Sequence, residues 1–206
     1  MLHELTVKEF MSTLGSDAPV PGGGSAAALA GATACSLLAM VAGLTIGKKG
    51  YEAVWEEMGP LQSAMEENAR AFLAEMDRDA ASYAKVIECY RLPKETEEEK
   101  TARSRAIQAA ILEAATIPME VAERAAGLFE AAKQLVEKGN RNAASDGAVG
   151  ALLARTCLRG ALYNVRINAV SLKDPEAKGE LLERADALER LALREEEAVL
   201  SRLSFD

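Results

Sequence analysis

From Ser25 to Ile46 the chain carries no charged side chain, and alanine and glycine dominate the run. The run is long enough to span a bilayer. Its small side chains and few bulky apolar groups equally describe a helix buried on all sides within a bundle. No second uncharged stretch follows, because the other alanine-rich segment holds Asp146, Arg155, Arg159 and Arg166. A lone span without a companion favours the buried helix, so no membrane partner is expected. A helix buried all round needs helices on every side of it, and that requirement sets the fold class.

The remaining sequence supplies those neighbours. Alanine, the best helix former, accounts for about 40 of the 206 residues. Aromatic residues make up only 4%, too few for a β-sandwich or barrel. Thr6 with Glu9 forms a capping box for a short helix ending near Gly15. Ser16 to Gly24 is a loop with two prolines and three successive glycines, and a second helix runs from about Ser25 to Ile46. A third covers Tyr51 to Arg91, kinked at Gly59-Pro60. Thr96 with Glu99 opens a fourth that reaches Lys138, which Pro118 must bend or break. A fifth runs from about Asn142 to Ser171, with Asn142 or Ser145 as its cap. Asp174-Pro175 starts the last, which carries Leu181, Leu188, Leu191 and Leu203 on one face. The expectation is an all-α bundle of five to six mostly long antiparallel helices, one domain over residues 1–206. On the second helix Ala27, Gly31 and Ala34 make a smooth side, suited to close packing within the chain or to the seam of a homodimer.

Charge and residue usage exclude several chemistries. The net charge is −8, from 24 basic and 32 acidic residues, which argues against a nucleic-acid partner. Cys35, Cys89 and Cys157 are scattered and odd in number, which suits free thiols in a cytoplasmic protein. The start, Met1-Leu2-His3-Glu4-Leu5, has no basic region before an apolar run and does not resemble a signal peptide. His3 is the only histidine, and no Cys-x-x-Cys occurs. A Ser-His-Asp triad or a histidine metal site would rest on one near-terminal residue, so metal-free chemistry is expected.

Four constellations can carry such chemistry. Gly22, Gly23, Gly24 and Ser25 lead from a proline directly into the apolar helix. Glycines let a backbone approach a ligand closely, and a helix start offers unpaired N–H groups. The plainer alternative is a flexible turn with Ser25 as its cap. Gly47-Lys48-Lys49-Gly50 stands at the far end of that helix, either a clamp for a carboxylated ligand or two lysines facing the helix dipole. It is no phosphate-binding loop, since Lys49 stands where such a loop has serine or threonine. Asn140, Asn142, Ser145 and Asp146 gather at the start of the fifth helix, among small residues. A carboxylate beside a buried face tends toward a raised pKa, which suits proton transfer, while a helix N-terminus acts against that rise. Asn164 and Asn168 share one face of the same helix. Eighteen residues separate Asp146 from Asn164, about 27 Å of helix. One small reacting centre cannot touch both unless a second chain supplies one of them.

In this order, and over nearly the whole chain, these motifs resemble the cyclodeaminase/cyclohydrolase family of folate enzymes. The family includes formiminotetrahydrofolate cyclodeaminase and free-standing methenyltetrahydrofolate cyclohydrolases. The residues that carry the resemblance are Pro21-Gly22-Gly23-Gly24-Ser25, Met40-Val41-Ala42, Leu44-Thr45, Gly47-Lys48-Lys49, Tyr51, Pro118-Met119, the run from Gly139 to Asp146, and Asn164-Val165 with Ile167-Asn168. The resemblance implies an all-α enzyme that uses no metal or organic cofactor, takes a tetrahydrofolate derivative as substrate and forms at least dimers. It implies Asp146 as the catalytic residue, and the glycine loop, Lys48, Lys49 and the asparagines as substrate-binding groups. Cyclodeamination to 5,10-methenyltetrahydrofolate and ammonia is the first expected activity. Methenyltetrahydrofolate cyclohydrolase is the second, and a non-catalytic helical assembly or ligand-sensing module is a third possibility from a different class. A formiminotransferase domain does not accompany these motifs, so channelling within the chain is not expected.

Overall fold

The computed structural model describes residues 1–204. Among them there is no β-strand; seven α-helices follow one another, with three single-turn 3₁₀ segments at Leu2–Glu4, Glu52–Val54 and Arg141–Ala143. The helices are α1 (Val7–Leu14), α2 (Gly23–Thr45), α3 (Trp55–Tyr90), α4 (Glu97–Ala126), α5 (Leu128–Lys138), α6 (Ala144–Ala169) and α7 (Pro175–Leu200). The expected all-α bundle is what forms, with one more helix than expected because the fourth is divided.

The apolar helix α2 is the axis of the bundle. Among the described residues it is the one helix long and apolar enough to cross a membrane. It packs chiefly between α3 and α6, with Ala28, Ala34, Cys35, Leu38 and Val41 fully buried. Its small residues set how near those neighbours come. A Cβ on Gly31 would meet the Cys157 sulfur and the Phe72 ring at 2.8 Å. The side made by Ala27, Gly31 and Ala34 therefore belongs to the chain's own core, which resolves the two alternatives left open for it. Gly23 lies against Asn164, Gly160 against Ala27 and Gly150 against Leu38, so α2 and α6 run antiparallel. α3 and α4 are also antiparallel, tied by Arg78 to Glu120 and Lys85 to Glu113.

Local chemistry accounts for most helix ends. Both capping boxes form, Thr6 with Glu9 and Thr96 with Glu99. Asp174 caps α7 through the N–H groups of Glu176 and Ala177, with Pro175 in the first turn. α7 ends at Leu200, so Leu203 lies beyond its amphipathic face. Pro60 sits in the second turn of α3, where few backbone bonds have yet formed, and α3 continues unbroken from Trp55 to Tyr90.

Three expectations need correction. Pro118 does not break α4; the division falls at Gly127 instead. A proline strips its partner four residues back of an N–H, here the Ala114 carbonyl. Asn168 of α6 supplies the missing donor, its Nδ2 lying 2.7 Å from the Ala114 oxygen. α2 begins at Gly23, two residues early, with Gly22 as its side-chain-free cap, so Ser25 is not a cap but a buried residue of the first turn. Neither Asn142 nor Ser145 caps α6, whose N-cap is Ala143; a 3₁₀ turn precedes it, closed by the Asn140 side chain.

Candidate active site

The start of α2, the second half of α3, the middle of α4 and the end of α6 converge at one end of the bundle. They enclose a cavity of about 480 Å³, a size suited to a small organic ligand. Gly22, Gly23 and Gly24 form one edge, Val86, Ile87, Ile111 and Ile167 an apolar wall, and Asn164 and Asn168 a polar one. The N–H groups of Gly23 and Gly24 precede the first repeating helix bond, from Ala26 N–H to the Gly22 carbonyl, and take no partner among the described residues.

The two asparagines are oriented by what they hold. Asn164 donates its Nδ2 to the Gly160 carbonyl at 2.9 Å, and Asn168 donates to Ala114. A carbonyl can only accept, so these bonds fix which end of each amide is the nitrogen; one N–H of each is used, and each amide keeps a second N–H and its Oδ1 acceptor. The site thus offers glycine N–H donors on one side and amide oxygens on the other.

One carboxyl lines this cavity, and it was not among the residues singled out above. Asp79 of α3 lies under the glycine turn, where a Cβ on Gly24 would come within 2.1 Å of its Oδ1. Ser25 Oγ stands 3.0 Å from Asp79 Oδ2 and 3.1 Å from the Met76 carbonyl oxygen. Burial pushes the Asp79 carboxyl above its ordinary range, and hydrogen bonds from the Ser25 side chain and backbone only partly offset this. A sequence signal for it exists. Met65, Phe72, Met76, Asp79, Tyr83, Val86 and Tyr90 follow spacings of three, four or seven, and Asp79 shares this inward face with one other charge, the buried Glu75, which is paired with Arg78. Asp77, two residues earlier, faces elsewhere and holds the N-terminal turn through Leu2 N–H and the His3 ring.

The other expected residues gather at the opposite end of α2. That helix has 23 residues, about 34 Å at the α-helical rise. Lys48 and Lys49 are exposed between Gly47 and Gly50, whose φ values of 73° and 93° need glycine. Asn140 is buried and used up structurally: its N–H donates to Thr45 Oγ1, its Nδ2 to the Leu44 carbonyl, and its Oδ1 accepts from Asn142 N–H. Tyr51 joins this knot by accepting from the Arg141 N–H. Asn142 and Ser145 are exposed, and Asp146 is half-buried in the first turn of α6, its carboxyl without a hydrogen bond to another described residue. Within one chain the structure therefore brings Gly22, Gly23, Gly24, Ser25, Asn164 and Asn168 together, and separately Lys48, Lys49, Asn140, Asn142, Ser145 and Asp146. It does not bring the two groups to each other.

Other candidate chemistries are weaker. Burial pushes the Cys35 thiol up to about 12 and Cys157 upward as well, so neither is a ready nucleophile. Among the described residues no three His, Cys, Asp or Glu side chains cluster as a metal site requires.

A family model described as Formiminotransferase-cyclodeaminase matches residues 6–187, and the chain belongs to that family. It is 37% identical over 183 residues to a methenyltetrahydrofolate cyclohydrolase of Methylorubrum extorquens, covering 89% of this chain and 88% of that protein. It is 30% identical to the formimidoyltransferase-cyclodeaminase of Sus scrofa over 98% of its own length but only 37% of the longer protein. Among solved structures, the formiminotetrahydrofolate cyclodeaminase of Thermotoga maritima superposes with a TM-score of 0.88 at 32% identity, covering 98% of each chain.

Proposed function

We propose that this protein is a folate one-carbon enzyme that converts 5-formiminotetrahydrofolate to 5,10-methenyltetrahydrofolate and ammonia. The observation that carries the reading is the end-to-end likeness, at 98% of both chains, to a structure described as a formiminotetrahydrofolate cyclodeaminase. The cavity supports it. Its isoleucine and valine wall suits a flat ring, and the Asn164 and Asn168 oxygens suit the N–H edges of a reduced pterin. The glycine amides suit its carbonyl oxygen.

In the reaction N10 attacks the formimino carbon, and the resulting tetrahedral centre expels ammonia. The substrate already holds the N10 proton and the imine proton, so one further proton must be supplied for ammonia to leave. The carbon stays at the oxidation level of formate throughout, so no redox cofactor is needed. Lys48 and Lys49 attract the carboxylates of the glutamate tail.

The working unit in this reading is a homodimer. Met40 and Leu44 on α2, and Val149, Leu152, Tyr163 and Ile167 on α6, are exposed along two antiparallel neighbouring helices. A two-fold axis crossing these helices near mid-length would set the glycine-loop cavity of one chain against the end of the other that carries Lys48, Lys49 and Asp146. Asp146 would then reach the substrate of its partner, which answers the separation found within one chain. Three unpaired thiols support a reducing, cytoplasmic setting.

A second reading, methenyltetrahydrofolate cyclohydrolase, is favoured by the 37% identity to a relative of that name matched over 88% of its length. Offering each compound in turn and following methenyl absorbance separates the two. Absorbance gained from the formimino compound supports cyclodeamination, and accelerated loss from the methenyl compound supports hydrolysis. No change with either overturns the folate assignment.

A further inference from the structure

We propose that the glutamate tail of the substrate leaves the cavity between the ends of α3 and α6, past Tyr90 and Ser171, and that Arg103 and Lys173 receive its carboxylates there. The inference rests on the folate reading above and adds to it the direction in which the substrate lies and the residues that select its tail.

The cavity has a long axis, and its two ends differ. α3 lines it from Asp79, under the glycine turn, through Tyr83, Val86 and Ile87 to Tyr90. From Asp79 to Tyr90 is about 16 Å of helix. α6 runs alongside in the same sense, from Asn164, which lies against Gly23, to Ser171. The glycine N–H groups and Asn164 therefore stand together at one end, where they suit the pterin. A tetrahydrofolate extends from its pterin through an aminobenzoyl ring to glutamate, so the other end must take the ring and the tail. Tyr83 and Tyr90 line that stretch with their side chains 45% and 49% exposed, open aromatic faces on which a second flat ring can stack.

The far end is positive. Arg103 of α4 lies over the Tyr90 ring, 5.7 Å from its centroid, and one terminal nitrogen donates to the Tyr90 carbonyl at 2.9 Å. Its Nε is buried without a hydrogen-bond partner among the described residues. Lys173, two residues past Ser171, donates its Nζ to the hydroxyl of Ser104, the chain neighbour of Arg103. Gln108 ties the corner together, donating to the Ser171 carbonyl at 3.2 Å and accepting from the Lys173 N–H at 2.7 Å.

Neither cation is neutralised. Among the described residues Arg103 and Lys173 touch a carbonyl and a hydroxyl, whereas Arg78, Lys85 and Arg166 are each held by carboxylates. The carboxylates carried by the same segments are spent on helix starts, Asp174 capping α7 and Glu99 closing the capping box of α4. On a chain of net charge −8, two cations without counter-charges at the mouth of a cavity mark a place for an anion from outside. Arg103 spends one of its N–H donors on Tyr90 and keeps others for a carboxylate, while Lys173 adds a mobile point charge for the next one. In the proposed homodimer Lys48 and Lys49 of the partner subunit add attraction at longer range, but Arg103 and Lys173 belong to the chain that binds the pterin.

A structural role competes for Arg103, because its bond to the Tyr90 carbonyl closes the end of α3. Holding a helix end affects every substrate alike, whereas holding the tail does not. The whole chain is therefore assayed by methenyl absorbance with the triglutamate form of the compound it turns over and with the pteroate form, which ends at the benzoate. With the triglutamate, KM is expected to rise about tenfold in Arg103→Gln and about threefold in Lys173→Gln, with kcat changed by less than about twofold. With the pteroate form, KM should move by less than about twofold in both variants. Arg103→Lys keeps the charge and should recover part of the tenfold loss, and added salt should raise the triglutamate KM more steeply in wild type than in Arg103→Gln. An unchanged triglutamate KM in either variant, or an equal rise with the pteroate form, overturns the inference and leaves the folate reading intact. A wild-type protein that turns over neither the formimino nor the methenyl compound overturns that reading and this inference with it.

Discussion

Gly24→Ala places a single methyl group where the geometry allows none, and its effect can be worked out from the structure. The added Cβ would lie 2.1, 2.5 and 2.6 Å from Oδ1, Cγ and Oδ2 of Asp79. Ordinary contact needs more than a further ångström, so the carboxyl must swing away and leave the Ser25 hydroxyl. A hydrogen bond to a charged group is worth about 1.5–3 kcal/mol. Alanine in place of glycine within a helix returns about 0.5–1 kcal/mol. The net loss is about 1–2 kcal/mol, which for a chain of this size lowers Tm by about 2–8 °C. Gly24 and Asp79 both line the cavity, so moving the carboxyl also disturbs the site, where a misplacement of an ångström costs about 10² in rate. In an Asp79→Ala background the collision disappears and only the helix gain remains, so the same substitution should raise Tm. Thermal melts of the four proteins in this cycle measure the coupling directly. Equal Tm changes in both backgrounds, or an undiminished kcat in Gly24→Ala alone, would refute the reasoning about this contact.

Three further outcomes follow from the same geometry. Asn168→Ala leaves the Ala114 carbonyl without any donor and should cost about 1–3 kcal/mol; adding Pro118→Ala restores an N–H within α4 and should recover much of that loss in denaturant titrations, whereas an uncoupled pair would reject the account of why α4 stays whole. Asp79 holds its proton more tightly folded than at its ordinary 3.8, so its contribution is full below that value and is lost as pH rises through the raised one; the Tm of Asp79→Asn relative to wild type should therefore improve as pH rises above about 4, and a flat difference would contradict the shift. Co-expressed Asp79→Asn and Asp146→Asn chains should regain about a quarter of wild-type activity, since half the dimers are mixed and each mixed dimer has one intact site; no recovery would show that Asp146 does not act across a dimer.

The parts of the fold legible in the sequence are those decided within a few residues. Thr6 with Glu9, Thr96 with Glu99 and Asp174 with Pro175 each mark a helix start by bonds that close within one turn. The uncharged run likewise marked a helix that packs between neighbours, although burial on all sides is not reached within the chain: Thr33, Ser36, Met40 and Leu44 leave one side of α2 exposed. Expectations failed where a distant residue intervened. Pro118 reads locally as a breaker, but the donor that rescues Ala114 comes from Asn168, on another helix. Ser25 reads locally as a cap, but Asp79 is its partner and is 54 positions away. Asp79 itself hides beside Asp77 and Arg78, and only the stripe of apolar residues around it marks it as inward-facing.

The division of the candidate residues between two ends of α2 is itself informative. A helix of 23 residues with no charge and few large side chains is a poor solvent-facing element but a good rigid spacer, since α3 and α6 clamp it along its length. Donor groups at its start and cations past its end are thereby held about 34 Å apart. One chain cannot fold that distance away. In the proposed homodimer, a two-fold related copy running the other way would cancel it, because start would then face end twice over and two incomplete sites would become two complete ones. The same rigidity explains why the carboxyl in the cavity has to come from α3. α2 offers only backbone there, and with glycine at position 24 its backbone comes near enough for Asp79 to reach Ser25. The apolar character that makes α2 the core of the fold thus also decides that its neighbours must carry the chemistry.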